Sequence, residues 1–131
     1  MTGVADTRLF LSLEFPPTID AKKRVEEFTQ KEIAKHLLAP SIVLTEFIKV
    51  AGPRLGKEGA KTRLRFLKER GMRTVALEEE EALVAGDLLL SHKDVPTADA
   101  LIASFVKSGA AEYVVTDDQH YRTLGVKTKW F

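Results

Sequence analysis

Four acidic residues lie at positions that suggest a functional site. Two of them follow predicted strands at the edge of the sheet, and two lie on apolar helix faces, where a carboxylate is unfavourable. Asp6 ends a short apolar segment, and Asp118 follows an apolar run that ends at Thr116. Glu46 and Asp99 lie in helical segments whose residues three and four positions away are mostly apolar. Because a buried charge is normally paired or bound to a metal ion, the four residues form a candidate acidic cluster.

Each acid also has a purely structural interpretation. Asp6 and Asp118 are suited to capping turns or helices. Asp99 would be favoured by the dipole at a helix N-terminus, and Glu46 could pair with Lys49. For each of the four acids, the structural interpretation is an alternative to membership of the cluster.

A shared site is chemically possible only with a cation, because several converging carboxylates repel one another and take up protons. The chain has no cysteine, and none of the four positions is histidine, so Mg²⁺ or Mn²⁺ is favoured over zinc. In two-ion sites such metals activate water and stabilise the leaving oxygen of a phosphodiester. The cluster therefore predicts metal-dependent hydrolysis of nucleic acid.

The elements that must position these acids alternate between short apolar strands and amphipathic helices. This alternation predicts a mostly parallel sheet in a three-layer α/β/α sandwich, with sites beyond the carboxyl ends of the strands. The first strand is expected to end near residue 6, and four further strands are expected to cover residues 38–39, 72–77, 113–116 and 126–131. Helices are expected between them, including a basic one over 57–70, one from 78 to about 92, one from 97 to 107 and a short one over 118–124.

Several local details are also predicted. Thr18 or Asp20, then Ser41, and later Thr97 are expected to cap helices, and the Gly52-Pro53 pair to end one. Some apolar side chains on the later helices are assigned to the core: Leu64, Phe66, Leu67, Leu83, Leu89 and Leu90.

Length and composition limit the possible classes. The 131 residues predict a single domain over 1–131, and the balance of 20 basic and 19 acidic side chains excludes a uniformly basic nucleic-acid binder. The absence of cysteine excludes disulfides, iron–sulfur clusters and a thiol nucleophile. No apolar run has the length of a membrane span and no signal-peptide core is visible, so we expect a cytoplasmic protein.

One local charge asymmetry stands out. Residues 54–73 contain eight basic and two acidic side chains, which could bind a phosphate backbone or form the solvated face of an amphipathic helix. The candidate substrate-binding residues are Arg54, Lys57, Arg63 and Arg65. His120, two residues after Asp118, is interpreted as more often incidental than functional.

Four segments, in order along the chain, carry a family resemblance: Val4 to Thr7, Pro40 to Phe47, Val95 to Ala103 and Tyr113 to Tyr121. With them the chain resembles PIN domains, and among these the VapC-type ribonuclease toxins of toxin–antitoxin pairs. The resemblance implies a metal-dependent endoribonuclease, with an antitoxin partner and a homodimeric state. It implies that the four acids are both metal ligands and catalytic residues, and that Thr116 orients them. Tyr121 stands where the family usually has phenylalanine.

Two alternatives remain open at the level of sequence. A housekeeping PIN nuclease in RNA processing would use the same site. A catalytically silent or receiver-like α/β module would bind one metal ion without cleavage, but a receiver needs an acid at the end of its third strand, and that predicted strand ends at Leu77.

Overall fold

All 131 residues are described by a computed structural model. Five short strands form one sheet in the order β3-β2-β1-β4-β5, and every pairing in it is parallel. The strands are β1 Gly3–Ala5, β2 Leu38–Pro40, β3 Arg73–Val75, β4 Tyr113–Val115 and β5 Thr128–Lys129. Helices flank the sheet, which confirms the predicted three-layer α/β/α sandwich.

Seven helices connect the strands: α1 Thr7–Glu14, α2 Ile19–Ala34, α3 Ser41–Leu55, α4 Lys57–Glu69, α5 Glu79–Ser91, α6 Thr97–Lys107 and α7 His120–Thr123. Strands β3 and β5 are shorter than predicted, since pairing ends at Val75 and Lys129. None of the helices is at once long and apolar enough to span a bilayer.

Several helices begin or end at residues other than the predicted ones. Thr18 does cap α2 and accepts a hydrogen bond from the Ala21 amide at 3.0 Å. Ser41 and Thr97 are wrong as caps, because each is already helical and the extended proline before it is the cap residue. The Gly52-Pro53 pair does not end α3, because a proline in the last turn removes only one helical hydrogen bond. The helix ends instead at Gly56, whose φ of 76° favours glycine.

Helix α5 buries a different face from the predicted one. Leu83 is 64% exposed and Leu90 75% exposed, whereas Ala85 and Glu81 are buried. Glu78 and Glu81 form a reciprocal capping box that ties this face to the helix start. Phe66 on α4 is likewise half exposed, while the predicted core residues Leu64 and Leu67 do pack on the core.

A buried polar network fixes α2 to the sheet. The Glu32 carboxylate, 1% exposed, accepts hydrogen bonds from the Tyr113 hydroxyl and, at 2.8 Å, from the Lys129 ammonium. Burial opposes ionisation of Glu32, but these two hydrogen bonds together with the charges of Lys129 and Lys35 outweigh it and lower its pKa. Gly3 allows the close approach of the Tyr113 ring, because a Cβ there would lie 2.6 Å from Cε2 of that ring.

Candidate active site

Two adjacent strands bring the first pair of site residues together. Ala5 of β1 pairs with Val115 of β4, so the residues that follow, Asp6 and Thr116, leave the sheet side by side at its carboxyl edge. The Thr116 hydroxyl donates a 2.7 Å hydrogen bond to Asp6 Oδ2. Both residues are buried, with 5% of Asp6 and 1% of Thr116 exposed.

Thr116 also connects this pair to the third acid. Its Oγ1 accepts a hydrogen bond from the Asp118 amide at 3.1 Å, which turns the chain after β4. Asp118 Oδ1 then accepts from the His120 amide at 2.9 Å, at the start of α7. One hydroxyl therefore contacts both the Asp6 side chain and the Asp118 backbone. The orienting role that the family resemblance implies for Thr116 stays a prediction.

Glu46 reaches the same edge from α3. The Thr7 hydroxyl donates to Glu46 Oε1 at 2.7 Å, and the Thr7 amide donates to Asp6 Oδ1 at 2.8 Å. No ion pair joins Glu46 to Lys49 in the structure, so the alternative interpretation of Glu46 is wrong. Thr7 thus links two acids, a role that the sequence analysis missed.

Asp99, in the first turn of α6, completes the group together with His120. His120 Nδ1 lies 3.0 Å from Asp118 Oδ1 and 3.3 Å from Asp99 Oδ2. Ligand atoms from Asp99, Asp118 and His120 all lie within 4.8 Å of one another, a spacing that could hold a metal ion. Asp99 Oδ2 is buried and, apart from the 3.3 Å approach of His120 Nδ1, makes no hydrogen bond. A buried carboxylate oxygen with so few hydrogen bonds is what a site built for a cation would present.

Tyr121 contributes a hydroxyl that its interpretation as a core aromatic did not include. The side chain is fully buried and its hydroxyl donates to Asp99 Oδ1 at 3.4 Å. Burial raises the pKa of Tyr121, and the nearby carboxylates raise it further, so the phenol stays a donor. The sequence favoured an incidental role for His120. Its contacts with Asp99 and Asp118 are visible only in the structure.

Burial and mutual repulsion raise the pKa values of two carboxylates in the group. Burial raises the pKa of Asp6 from 3.8 to about 6, against the Thr116 hydrogen bond, and the charge of Asp99 adds to the rise. Burial and then the charge of Asp118 raise the pKa of Asp99, against the opposing effect of His120. The donor set is mainly oxygen, so these residues fit Mg²⁺ or Mn²⁺.

The neighbouring acid, Asp117, faces elsewhere. Its carboxylate accepts a hydrogen bond from Nε of Arg8 in α1, and both side chains are largely exposed. Asp117 is therefore paired with a cation, while Asp118 is directed at Asp99 and His120.

The four basic residues predicted to bind substrate differ in their contacts. Arg63 pairs with Glu14 at 3.3 Å, and the Arg54 guanidinium stacks on the Phe15 ring, 3.9 Å from its centroid. Lys57 and Arg65 are exposed and make no ion pair.

Comparison with solved structures identifies the fold. The chain superposes over its full length on 99% of a chain in the VapBC2–promoter DNA complex from Rickettsia felis, with a TM-score of 0.75 and 17% identity. It covers 96% of VapC20 from Mycobacterium tuberculosis, a sarcin-ricin loop cleaving toxin, with 95% of its own length, a TM-score of 0.73 and 15% identity. It covers 94% of a FitAcB chain from Neisseria gonorrhoeae with 95% of its own length, a TM-score of 0.72 and 17% identity. At these identities the likeness concerns the fold.

The sequence itself matches the family model for the PIN domain over residues 4–127. This protein belongs to the PIN domain family, as the four segments of the sequence implied. No functionally curated protein sequence matches it significantly.

Proposed function

We propose that this protein is an Mg²⁺- or Mn²⁺-dependent endoribonuclease that hydrolyses RNA phosphodiester bonds and acts as the toxin of a toxin–antitoxin pair. The observation that carries the proposal is the convergence of Asp99, Asp118 and His120 ligand atoms within 4.8 Å of one another, with Asp99 Oδ2 buried, at the sheet edge of a PIN domain. Carboxylates with raised pKa values bind a divalent cation with relief of their mutual repulsion.

Asp6, Glu46, Asp99 and Asp118 are assigned as the catalytic and metal-binding residues. A divalent ion bound there would lower the pKa of a water molecule and neutralise charge on the phosphate. Thr116 and Thr7 keep two of the carboxylates, those of Asp6 and Glu46, in place through hydrogen bonds of 2.7 to 2.8 Å. His120 Nδ1 lies between two of the acids, where it could replace a water ligand or carry a proton.

The RNA substrate and the antitoxin partner are supported by the structurally similar proteins. One of them is a sarcin-ricin loop cleaving toxin, and others were solved as toxin–antitoxin or FitAB assemblies, two of them with DNA. Arg54, Lys57, Arg63 and Arg65 are the proposed substrate-binding residues, and the proposal includes a homodimer in the cytoplasm. A housekeeping PIN nuclease is the second candidate, because it would use the same acids.

The activity test uses two neighbouring acids as a matched pair. Structured and unstructured RNAs are incubated with the wild-type protein, with Asp118→Asn and with Asp117→Asn, in EDTA, Mg²⁺ or Mn²⁺. We expect cleavage only with a divalent ion, severe loss in Asp118→Asn and retention of most activity in Asp117→Asn, since only Asp118 faces the other acids. Equal activity of wild type and Asp118→Asn, or cleavage in EDTA, would contradict the proposal.

A growth assay separates the toxin from the housekeeping nuclease. Induced expression of the wild-type chain should arrest growth of the host, and Asp118→Asn should not. Growth unaffected by an active, metal-dependent nuclease would favour the housekeeping role.

A further inference from the structure

A groove separate from the acidic cluster lies between α1 and α3. One face of α1 lines it with residues at positions i, i+3, i+4 and i+7, and Val50 of α3 closes it, giving a cavity of about 290 Å³. The α1 residues are Arg8, Leu11, Ser12 and Phe15.

The groove begins at the acids and leads away from them. At its near end the Thr7 hydroxyl contacts Glu46, and at its far end the Phe15 ring contacts Arg54. Both contacts join residues 39 positions apart, so the two helices run side by side in register. From Arg8 to Phe15 the chain rises about 10 Å along the helix axis, which separates the two ends of the groove.

The two ends of the groove carry complementary chemistry for a nucleic-acid strand. Arg8 is half exposed at the near end, and its contact with Asp117 uses Nε, which leaves the terminal guanidinium nitrogens free to donate to a phosphate. At the far end Cζ of Arg54 lies 3.9 Å from the centroid of the Phe15 ring, so an arginine and an aromatic side chain stand together there. Unpaired bases stack on aromatic rings and on arginine planes.

We propose that this groove binds a single-stranded segment of the RNA next to the bond that is cut, with Arg8 on a phosphate and the Arg54–Phe15 stack on a base. The identity of the ligand as RNA rests on the proposed function. Leu11 and Val50 supply an apolar floor between the two guanidinium groups. A duplex would not fit this role, because the faces of paired bases are covered by their neighbours in the stack.

The test measures binding without cleavage. Asp118→Asn protein in EDTA is titrated into fluorescently labelled single-stranded oligoribonucleotides and into a duplex of the same length, and anisotropy gives the dissociation constants. In this background Arg54→Gln and Phe15→Leu should each weaken single-strand binding about tenfold, the size expected for one stacked base. Lys23→Gln removes one positive charge from an exposed site on α2, outside the proposed substrate-binding residues, and should change binding less than about twofold.

Cross-linking locates the base directly. An oligoribonucleotide containing 4-thiouridine should cross-link to the tryptic peptide 9–22, which contains Phe15. Equal effects of Arg54→Gln and Lys23→Gln, or duplex binding as tight as single-strand binding, would overturn the proposal. If binding follows the expected pattern but the wild-type protein cleaves no RNA with any divalent ion, the proposed function fails and the groove stands.

Discussion

Replacement of Asp6 by asparagine should stabilise the metal-free protein while it removes a proposed metal ligand. The Asp6 carboxylate is 5% exposed and close to Asp99 and Asp118, and burial is the main cause of its raised pKa. Its two hydrogen bonds, from the Thr7 amide and the Thr116 hydroxyl, do not compensate for burial and repulsion. An amide of the same shape carries no charge, so Asp6→Asn relieves both penalties.

The magnitude follows from the pKa. A tenfold change in an ionisation equilibrium is worth about 1.4 kcal/mol, so a rise from 3.8 to about 6 makes ionised Asp6 cost the native state about 3 kcal/mol. The native state binds the proton more tightly than the unfolded state. The stability that Asp6 contributes is therefore fully present below pH 3.8 and is lost as the pH rises through about 6.

The amide gives up part of this gain. Thr116 Oγ1 already accepts from the Asp118 amide, so its own proton loses the carboxylate acceptor when Asp6 becomes asparagine. Loss of that hydrogen bond costs about 1 kcal/mol. The expected net effect in EDTA near pH 8 is about 2 kcal/mol of stabilisation, or an increase in Tm of about 8 °C for a chain of this size.

Denaturant unfolding of wild type and Asp6→Asn in EDTA, across the pH range from about 3.5 to 8, measures the difference. Other acids titrate in both proteins and largely cancel, so the difference should change sign in favour of Asp6→Asn as the pH rises. Saturating Mn²⁺ should reverse the order by stabilising the wild-type protein preferentially. A difference independent of pH, or destabilisation by Asp6→Asn near pH 8 in EDTA, would refute the electrostatic account of the site.

Three further substitutions test other parts of the structure. Tyr121→Phe removes the 3.4 Å hydrogen bond to Asp99 and restores the aromatic residue usual in the family. We expect titration calorimetry to show a change in Mn²⁺ affinity of less than about fivefold; a larger loss would mean that the phenol is essential to the site. Glu32→Gln weakens the network that fixes α2, and should lower the free energy of unfolding by about 2 kcal/mol at neutral pH and by less on acidification, because the lowered pKa of Glu32 contributes stability that is lost as the pH falls through it. Leu90→Glu places a charge on an apolar side chain that is 75% exposed; if α5 contributes to the proposed homodimer, sedimentation should show dimer for wild type and monomer for the variant, and identical profiles would exclude that helix.

The sequence predicted the parallel sheet well, because the sheet depends on local signals. The site roles of the four acids rest on local signals too and stay a prediction. Apolar strands bounded by turn residues set the parallel order, and acids at strand ends or on apolar helix faces must meet at the carboxyl edge. The side-chain links among them depend on distances between elements far apart in sequence. Thr7 and Glu46 are 39 residues apart, and Tyr121 and Asp99 are 22 residues apart, so their contacts have no local signature.

Helix α5 shows why its buried face was misjudged. Apolar residues occur all round this helix, so periodicity did not single out one side. The capping box was visible as Glu78 and Glu81, three residues apart, and it fixes which side of the first turn is buried. Small Ala85 follows on that side, and close packing against α6 uses it rather than the larger Leu83 and Leu90.

The division between Asp117 and Asp118 follows from one alternation of the backbone. Side chains of successive residues in an extended segment point to opposite sides, so Asp118 shares a side with Thr116 and faces the acids. Asp117 points the other way, where Arg8 of α1 neutralises it. This pairing places the Arg8 guanidinium at the border between the acidic cluster and the groove. In the proposed complex, the phosphate of an RNA strand that runs from the groove toward the acids would therefore contact the Arg8 guanidinium just before it reached the carboxylates. The turn that directs Asp118 toward the other acids thus also positions Arg8 at the proposed entrance to the site.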